Sequence, residues 1–429
     1  MPSEAVATAR HFARPAMRLT IIGAGAIGSS IASFLVNHPQ VTQVQVCDAR
    51  ARNLQLLHDR LQTSKLRSFQ IDARDYGVLE PILQGSQVVI SAAPPQLNPS
   101  LAQLCLRLGV HFCDMGGNDQ IVRQELALHD QAVKRAVWIV PSCGLAPGLV
   151  NILCLHGLEQ FDEVEAAYLR VGDVPLNPQP FNFRISWSAE KVIEDYTNPV
   201  QLIRDGQLHV EAPLTGLERI RFEEPFGEME AFYTAGGLST LAEQLAGKVR
   251  VLDYKSIRWP CHASQMRFVL ELGFGEPRNI DVRTHLTYRD VLVRRMRQRL
   301  GGHYEDAVLL RVAIHGKRQG KPHTLLYEMV DRYDQTQQLS AMKRCTSLPT
   351  ALVALMIASG EVRGGGALPP EQVVPRQRFY QLLIEQGLPL THRWFEGYVD
   401  VTHPEPTQAA SVTNKTAATR TKTPSASSQ

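Results

Sequence analysis

The sequence predicts an α/β fold, in which a doubly wound parallel sheet is followed by an α+β domain with a mostly antiparallel sheet. Three observations predict it. A glycine-rich motif lies between an apolar strand and a helix near the start of the chain. Strands and helices then alternate with short turns as far as residue 140, which is typical of a parallel sheet covered by helices. From about residue 165 to 335, strand-forming segments dominate.

Residues 17–50 form the first unit of the parallel sheet. An apolar strand ends in Gly23-Ala-Gly-Ala-Ile-Gly28, a helical pattern follows, and Asp48 closes the next strand. The first glycine of such a motif permits the tight turn, the second lets the backbone approach a pyrophosphate, and the third lets the helix pack on the strand. The helix N-terminus offers N–H groups to the phosphates. The carboxylate about 20 residues on can accept from the ribose hydroxyls of NAD. We predict a Rossmann-type domain with cofactor contacts from Gly23, Gly25, Ala26, Ile27, Gly28 and Asp48.

Later strands of this domain end in further candidate contacts. Strands are predicted at 44–48, 69–72, 87–90, 110–113 and 137–140, and helices at 54–63, 75–83, 99–108 and 120–134. Ligands of open α/β sheets bind outside the carboxyl ends of the strands. We therefore expect further cofactor contacts from Asp72, at the adenine end, and from Ser91, Ala92, Ala93 and Pro94.

Two more segments reach the same edge, Asp114-Met-Gly-Gly117 and Cys143-Gly-Leu-Ala-Pro-Gly148. The second leads into an apolar helix, whose N-terminus suits a carboxylate. Asp114 could act as an acid or base or pair with an ammonium group, but an N-terminal helix cap explains it equally well. Cys143 could line the pocket, although a buried and inert cysteine is as common.

The second block is predicted to contain strands at 164–171, 182–187, 267–272, 308–315 and 324–333, the last two forming a hairpin. Its uncovered sheet face suggests a homodimer. Arg258 and His262 could bind a carboxylate or relay a proton, but taken alone their segment is more simply surface structure. Helices at 348–358 and 376–386 are expected to return to the first domain. The basic run 294–299 is predicted to be a solvated helix face.

Composition limits the class of protein. The chain has 429 residues, a formal net charge of +3 and seven cysteines without C-x-x-C spacing. The small charge argues against a dedicated nucleic-acid-binding protein, and the cysteines fit a reducing cytoplasm without a metal site. No apolar run approaches the ~18 residues of a membrane span. The predicted domains are a flexible extension, the nucleotide domain, a substrate and dimerisation domain, returning helices and a disordered tail: 1–16, 17–148, 149–345, 346–403 and 404–429.

Four motifs, in order, resemble the saccharopine dehydrogenase family, in the branch that includes lysine 6-dehydrogenase. They are Gly23–Gly28, Cys143–Gly148, Glu230-Ala-Phe-Tyr-Thr-Ala-Gly-Gly-Leu-Ser-Thr240 and Ser256-Ile-Arg-Trp-Pro-Cys-His262, and Leu368-Pro-Pro-Glu371 also fits. The family has glycine where this chain has Cys261. The resemblance implies a Rossmann domain with an inserted catalytic and dimerisation domain, and NAD(P)-linked oxidation at an amine-bearing carbon of an amino acid. We expect catalysis from Asp114, Cys143 and His262, and substrate contacts from Pro147, Gly148, Thr234, Gly236, Gly237 and Arg258.

These features together predict an NAD-dependent amino-acid dehydrogenase that oxidises L-lysine at its ε-amine. One alternative is a reductase that joins an aldehyde and an amine, as saccharopine reductase and carboxynorspermidine dehydrogenase do. Another is a non-catalytic nucleotide-binding scaffold. NAD is expected over NADP because the Asp48 carboxylate would repel a 2′-phosphate, although Arg50 and Arg52 could attract one.

Overall fold

The structure is a computed structural model that describes residues 16–178, 180, 182–185 and 188–403. The predicted disordered tail, 404–429, lies outside the described residues, and so does the predicted N-terminal extension apart from Ala16. Within the described part of the chain, no helix is both long and apolar enough to cross a bilayer.

Most of the described residues lie in strands and helices. The strands are β1 (Met17–Ile22), β2 (Val41–Asp48), β3 (Leu66–Gln70), β4 (Val88–Ser91), β5 (His111–Asp114), β6 (Trp138–Val140), β7 (Glu163–Pro175), β8 (Val200–Arg204), β9 (Gln207–Glu211), β10 (Glu218–Arg221), β11 (Glu228–Tyr233), β12 (Val251–Arg258), β13 (Asp306–Arg318), β14 (Lys321–Arg332), β15 (Gly366–Ala367) and β16 (Leu390–Glu396). The helices are α1 (Ala26–Asn37), α2 (Ala51–Leu61), α3 (Tyr76–Leu83), α4 (Asn98–Leu108), α5 (Asp119–Leu126), α6 (His129–Arg135), α7 (Leu149–Leu158), α8 (Ala189–Thr197), α9 (Leu241–Leu245), α10 (His262–Val269), α11 (Tyr288–Leu300), α12 (Ala341–Ala358), α13 (Pro370–Val373) and α14 (Arg376–Glu385).

The first sheet confirms the predicted doubly wound architecture. Its seven strands are all parallel, in the order β15-β6-β5-β4-β1-β2-β3. Alternate side chains of β1 face opposite layers, since Leu19 and Ile21 pack in one apolar core and Ile22 in another. Burial on both faces is why such strands have continuous apolar sequences. The strand order reverses between β1 and β4, where a ligand crevice is expected.

The helix predicted at 120–134 is wrong in one respect, because it is two helices. The N–H of Leu128 donates to the carbonyl of Glu125 at 3.1 Å, three residues back. This tighter turn separates α5 from α6. Glu125 is consequently at the end of α5 with its side chain fully buried.

The second sheet has nine strands, and its main path runs β10-β11-β12-β7-β13-β14-β16, with β8 attached to β12 and β9 attached to β8. All pairs are antiparallel except β12 with β7. The predicted hairpin is confirmed as β13 and β14. The sheet face turned away from the first sheet carries buried ion pairs of Arg170 with Asp253 and of Arg311 with Glu328. That face also carries buried apolar residues such as Ile257 and Leu309, and the homodimer expected from it stays a prediction.

Two strands predicted in the second block are wrong. The segment 267–272 lies in α10 and in the π-helical turn Leu270–Phe274 that follows it. Residues 182–185 form no strand, and 186–187 lie outside the described residues. Short apolar runs do not distinguish a strand from a helix by periodicity alone. The basic run 294–299 is confirmed as an exposed face of α11.

Helix α12 joins the two sheets. It was predicted to begin at Leu348 but begins seven residues earlier, because two groups cap its N-terminus. The Ser340 hydroxyl accepts the N–H of Lys343 at 3.2 Å. The carboxylate of Asp306, from β13, accepts the N–H groups of Ala341 at 2.8 Å and Met342 at 2.9 Å. The helix then packs on α1, as expected of a segment that returns to the first domain.

Candidate active site

The glycine-rich turn is shaped by close approaches between main chains. A Cβ on Gly28 would lie 1.9 Å from the carbonyl oxygen of Gly23, and a Cβ on Gly23 would lie 2.6 Å from the carbonyl oxygen of Ala92. Gly23 also has φ +102°, which favours glycine. Gly25 differs, since its Cβ would meet no described atom within 4 Å. The space beside Gly25 at the start of α1 is therefore open, as a bound pyrophosphate requires.

A cleft of about 510 Å³ opens beside this turn. It is lined by seven of the predicted cofactor contacts, namely Gly23, Gly25, Asp48, Asp72, Ala92, Ala93 and Pro94. Four others lie behind its wall: Ala26, Ile27 and Gly28 form the first turn of α1, and Ser91 is buried with its hydroxyl donating to Asn98 Oδ1 at 2.7 Å. The cleft spans the ends of β1, β2 and β4, where the sheet order reverses.

Asp48 is the acid of the cleft. Its Oδ2 accepts the N–H of Ala24 at 2.7 Å, and its Oδ1 accepts the N–H of Arg50 at 2.7 Å. Asn53, which the sequence analysis missed, donates from Nδ2 to both oxygens at 3.2 Å. These donors fix the carboxylate at the tip of β2, where a ribose would lie.

The cations of the cleft differ from those expected. Arg50 lines it, but the second arginine is Arg74 and not Arg52. Arg74 pairs with Asp72 at 2.6 Å, and this bond holds the pKa of the Asp72 carboxyl down to about 2. The pair lies at the end of the cleft predicted for the adenine ring.

Asp114 ties the loop after β5 to the loop after β6. Its Oδ1 accepts the N–H of Gly116 and, at 3.2 Å, that of Ser142. Its main-chain oxygen accepts the N–H of Cys143 at 2.7 Å. The side chain is fully buried. In this conformation Asp114 therefore shapes the loops, and its catalytic role stays a prediction.

Cys143 is also fully buried, and its thiol donates to the carbonyl of Val140 at 3.2 Å. Burial raises the pKa of this thiol well above its usual range, and the thiolate is the reactive form. The catalytic role predicted for Cys143 therefore has no support from the geometry. Pro147 is half-buried, and Gly148 has φ +130° at the start of α7, where a Cβ would lie 2.3 Å from the Gly144 oxygen.

A buried polar cluster on the second sheet contains the other predicted residues. The Nε of Arg258 donates to the hydroxyl of Tyr196 at 3.2 Å, and that hydroxyl contacts His262 Nε2 at 2.9 Å. Burial and the Arg258 charge lower the pKa of His262 well below its usual value, so the ring is neutral and accepts from Tyr196. Thr234 is buried and bonds the hydroxyl of Ser256 at 2.7 Å.

The diglycine of the third motif packs against α8 and β12. A Cβ on Gly236 would lie 2.8 Å from Lys191 Nζ, and one on Gly237 would lie 2.3 Å from the ring of Tyr254. Lys191 pairs with Asp195 at 2.6 Å, one helical turn away, and the two side chains are 30% and 22% exposed. The sequence analysis missed this pair, because a Lys and an Asp four residues apart occur on many helices.

Charges from two elements act on Lys191. Burial lowers its pKa, but Asp195 and Glu194 of α8 and Asp119 at the start of α5 raise it above its usual value. Nearby, Arg123 of α5 pairs with Glu243 of α9. The start of α5 follows Gly117, whose Cβ position is 3.0 Å from Pro95. Lys191 therefore lies near the start of α5, which belongs to the nucleotide domain.

Cys261 occupies a backbone position that favours glycine. Its φ is +73° and ψ −1°, the left-handed region, and α10 begins at the next residue. Glu230 of the third motif holds this turn, since its oxygens accept the N–H groups of Cys261 at 2.9 Å and Ala263 at 2.6 Å. The sequence departure at Cys261 therefore keeps the turn and adds a Cβ in an unfavourable conformation.

Comparisons with known proteins agree with this architecture. Residues 19–140 match the model of the saccharopine dehydrogenase NADP binding domain, and residues 144–388 match that of the saccharopine dehydrogenase C-terminal domain. A solved apo saccharopine dehydrogenase (L-Glu forming) from Saccharomyces cerevisiae superposes with a TM-score of 0.71 at 16% identity, covering 88% of this chain and 100% of that one. The homospermidine synthase of Legionella pneumophila, solved with NAD, gives 0.63 at 14% identity, covering 90% and 96%.

Substitutions at two glycines should distinguish a glycine that leaves room for a ligand from a glycine that protein packing requires. Gly28→Ala forces a Cβ onto the Gly23 carbonyl and should destabilise the fold by about 2 kcal/mol. Gly25→Ala places a methyl group in open space, so stability should change by less than about 0.5 kcal/mol while NADH binds about tenfold more weakly. Urea unfolding and NADH fluorescence titration measure the two effects. Equal loss of stability in both variants would contradict this assignment of the glycines.

Cys261→Gly should stabilise the protein by about 1 kcal/mol, since glycine adopts the left-handed region without a Cβ clash. Cys261→Ala is the matched control, because it removes the thiol and keeps the Cβ. Urea unfolding of the three proteins measures the difference. If alanine stabilises as much as glycine, the thiol and not the backbone is the source of the cost.

Proposed function

The chain belongs to the saccharopine dehydrogenase family of NAD(P)-dependent oxidoreductases, and from that premise we propose that it oxidises L-lysine at the ε-amine with NAD. The observation that carries the proposal is the pair Lys191 and Asp195, opposite charges held a hydrogen bond apart beside the loop that contains Gly236. An amino acid presents a carboxylate and an ammonium group, which a cation and an anion can each bind. The ε-ammonium group of lysine can then reach the carboxyl ends of the strands of the first sheet.

Residues of helix α8 bind and orient this substrate. Lys191 binds the α-carboxylate, and Asp195 binds the α-ammonium group. Gly236 lets the loop lie directly on Lys191, since any side chain there would displace its ammonium group. Arg258 and His262 act behind this layer, because both hold the hydroxyl of Tyr196 in place.

The reaction needs a hydride acceptor, which the dinucleotide supplies when it is bound. The substrate carbon loses a hydride and its nitrogen loses one proton, and water opens the resulting imine to an aldehyde and ammonium. Glycine at positions 116 and 117 lets the loop after β5 pack closely on Ser142 and Pro95, beside the strand ends where the amine-bearing carbon would lie. The buried loops around Asp114 and Ser142 form the floor of this region and keep bulk water from it.

Turnover tests the proposal. Purified protein with NAD and L-lysine should produce NADH, followed at 340 nm, and ornithine, diamines and saccharopine should be slower. Lys191→Met should raise the KM for lysine about tenfold or more through loss of a charge-assisted bond, with a smaller change in kcat. Lys134→Met removes an exposed cation on α6 and serves as the control.

Two outcomes would contradict it. No NADH from any member of the panel, and no oxidation of NADPH or NADH when an aldehyde and an amine are supplied in reverse, would exclude dehydrogenase chemistry on these substrates. Equal kinetic effects of the Lys191 and Lys134 variants would exclude Lys191 as a carboxylate contact.

Cofactor choice is a separate prediction. Asp48 is fixed at the tip of β2 by four donor contacts and would repel the 2′-phosphate of NADP, so kcat/KM should favour NAD by about tenfold or more, equivalent to ~1.4 kcal/mol. Asp48→Ser should remove most of that preference. Wild-type protein that prefers NADP would show that Arg50 and Arg74 decide the choice instead.

A further inference from the structure

Two carboxyl groups meet beneath the loop that follows β5. Asp114 ends that strand and Glu125 is on α5, and both side chains are fully buried. Each carboxyl group acts on the pKa of the other, and three of their four oxygens are buried without a partner among the described residues. Glu125 takes no part in the reaction proposed above, and its sequence context gave no signal, since an acid near the end of an amphipathic helix is usually exposed.

The hydrogen bonds favour a proton on Glu125 over a proton on Asp114. Asp114 Oδ1 accepts two main-chain N–H groups, whereas Asp114 Oδ2 and both oxygens of Glu125 have no N–H or O–H donor among the described residues. Two ionised carboxylates only accept, so a bond between them requires a proton. The two N–H groups stabilise the Asp114 anion. A proton on Glu125 would give Asp114 Oδ2 the donor that it lacks.

The surroundings of Glu125 favour its protonated form. Burial first, and then the charge of Asp114, raise the pKa of Glu125. Burial also raises the pKa of Asp114, and the groups that act on it are Glu125 and the N–H groups of Gly116 and Ser142. Beyond them lies the neutral thiol of Cys143, which faces Cys113 and Glu371. No described lysine or arginine offsets the pair.

The pair is connected to the cleft through the loops it holds. Asp114 fixes Gly116 and Ser142, and a Cβ on Gly116 would lie 2.8 Å from the Ser142 hydroxyl. Gly117 packs on Pro95, next to the cleft-lining Pro94 and Gln96. A change in the Asp114 rotamer would therefore move the loop 114–117 and, through Pro95, the wall of the cofactor cleft at Pro94 and Gln96.

We propose that Glu125 is a positioning residue, which holds Asp114 and the loop 114–117 in the cofactor-binding conformation by a proton shared between the two carboxyl groups. The proposal rests on the proposed dinucleotide binding. Loss of the proton leaves two buried negative charges in contact, and their repulsion opens the loop. Cofactor affinity should therefore fall at alkaline pH for a reason that lies outside the cofactor contacts.

The experiment compares wild type with Glu125→Gln, Glu125→Leu and Asp130→Asn, the last removing an exposed acid from the neighbouring helix α6. Glutamine keeps a donor toward Asp114 that does not titrate. The Kd for NADH is measured by fluorescence from pH 6 to pH 10, and the thermal unfolding midpoint is measured over the same range without cofactor.

Wild type and the Asp130 variant should lose NADH affinity as the pH rises, whereas Glu125→Gln should match wild type within about threefold at pH 6 and stay flat. Glu125→Leu should bind about tenfold more weakly at pH 6, because Asp114 loses its donor. The folded protein holds a proton that the unfolded chain releases near Glu's ordinary pKa. Wild-type stability relative to Glu125→Gln is therefore greatest at low pH, and the difference in midpoint should shrink as the pH rises.

Each failure has its own meaning. A midpoint difference that is constant across the pH range overturns the shared proton. A midpoint difference that varies while the Kd profiles of wild type and Glu125→Gln coincide overturns the positioning role. If the protein binds no NADH at any pH, the proposed function fails, and the midpoint data still decide the shared proton. If Glu125→Leu does not fold, the glutamine variant alone gives both readouts.

Discussion

A carboxylate that accepts main-chain N–H groups from a distant segment holds the site together at four places. A buried anion needs hydrogen-bond donors. Main-chain N–H groups at turns and helix starts are available as donors, because they have no partner within a helix or sheet. Each contact therefore fixes a loop and stabilises the charge together. The four carboxylates and their partners are Asp48 with Ala24 and Arg50, Asp114 with Gly116 and Ser142, Glu230 with Cys261 and Ala263, and Asp306 with Ala341 and Met342.

These contacts link the sequence motifs to one another. Asp48 connects β2 to the glycine-rich turn, Glu230 connects the third motif to the fourth, and Asp306 connects the second sheet to α12. Because α12 packs on α1, a displacement in the second sheet reaches the helix that carries the phosphate-binding end. The glycines complete the arrangement, since the main chains at Gly23, Gly28 and Ala92 approach too closely for any side chain.

The sequence was sufficient for the fold class and for one end of the site. Three of the cleft-lining residues follow from local rules, because a strand, a glycine-rich turn, a helix and an acid lie within 32 residues of each other, and the other four follow from the rule that ligands bind at the carboxyl ends of parallel strands. Other features depend on contacts between distant segments. Asp306 lies 35 residues from the helix that it caps. The Lys191–Asp195 pair is recognisable as a candidate binding site only once the fold places Gly236 against it. The buried state of Glu125 and the inert state of Cys143 have the same origin, since neither residue type reveals its burial.

The cysteines differ sharply in their access to solvent. All seven are free thiols, and six of them are buried, which leaves Cys261 as the exposed one. A maleimide dye would consequently attach at a single position of the unmodified chain. That position is at the turn between β12 and α10, one residue before His262. The wild-type protein thus provides its own site for an environment-sensitive dye on the second domain, without the removal of any native cysteine.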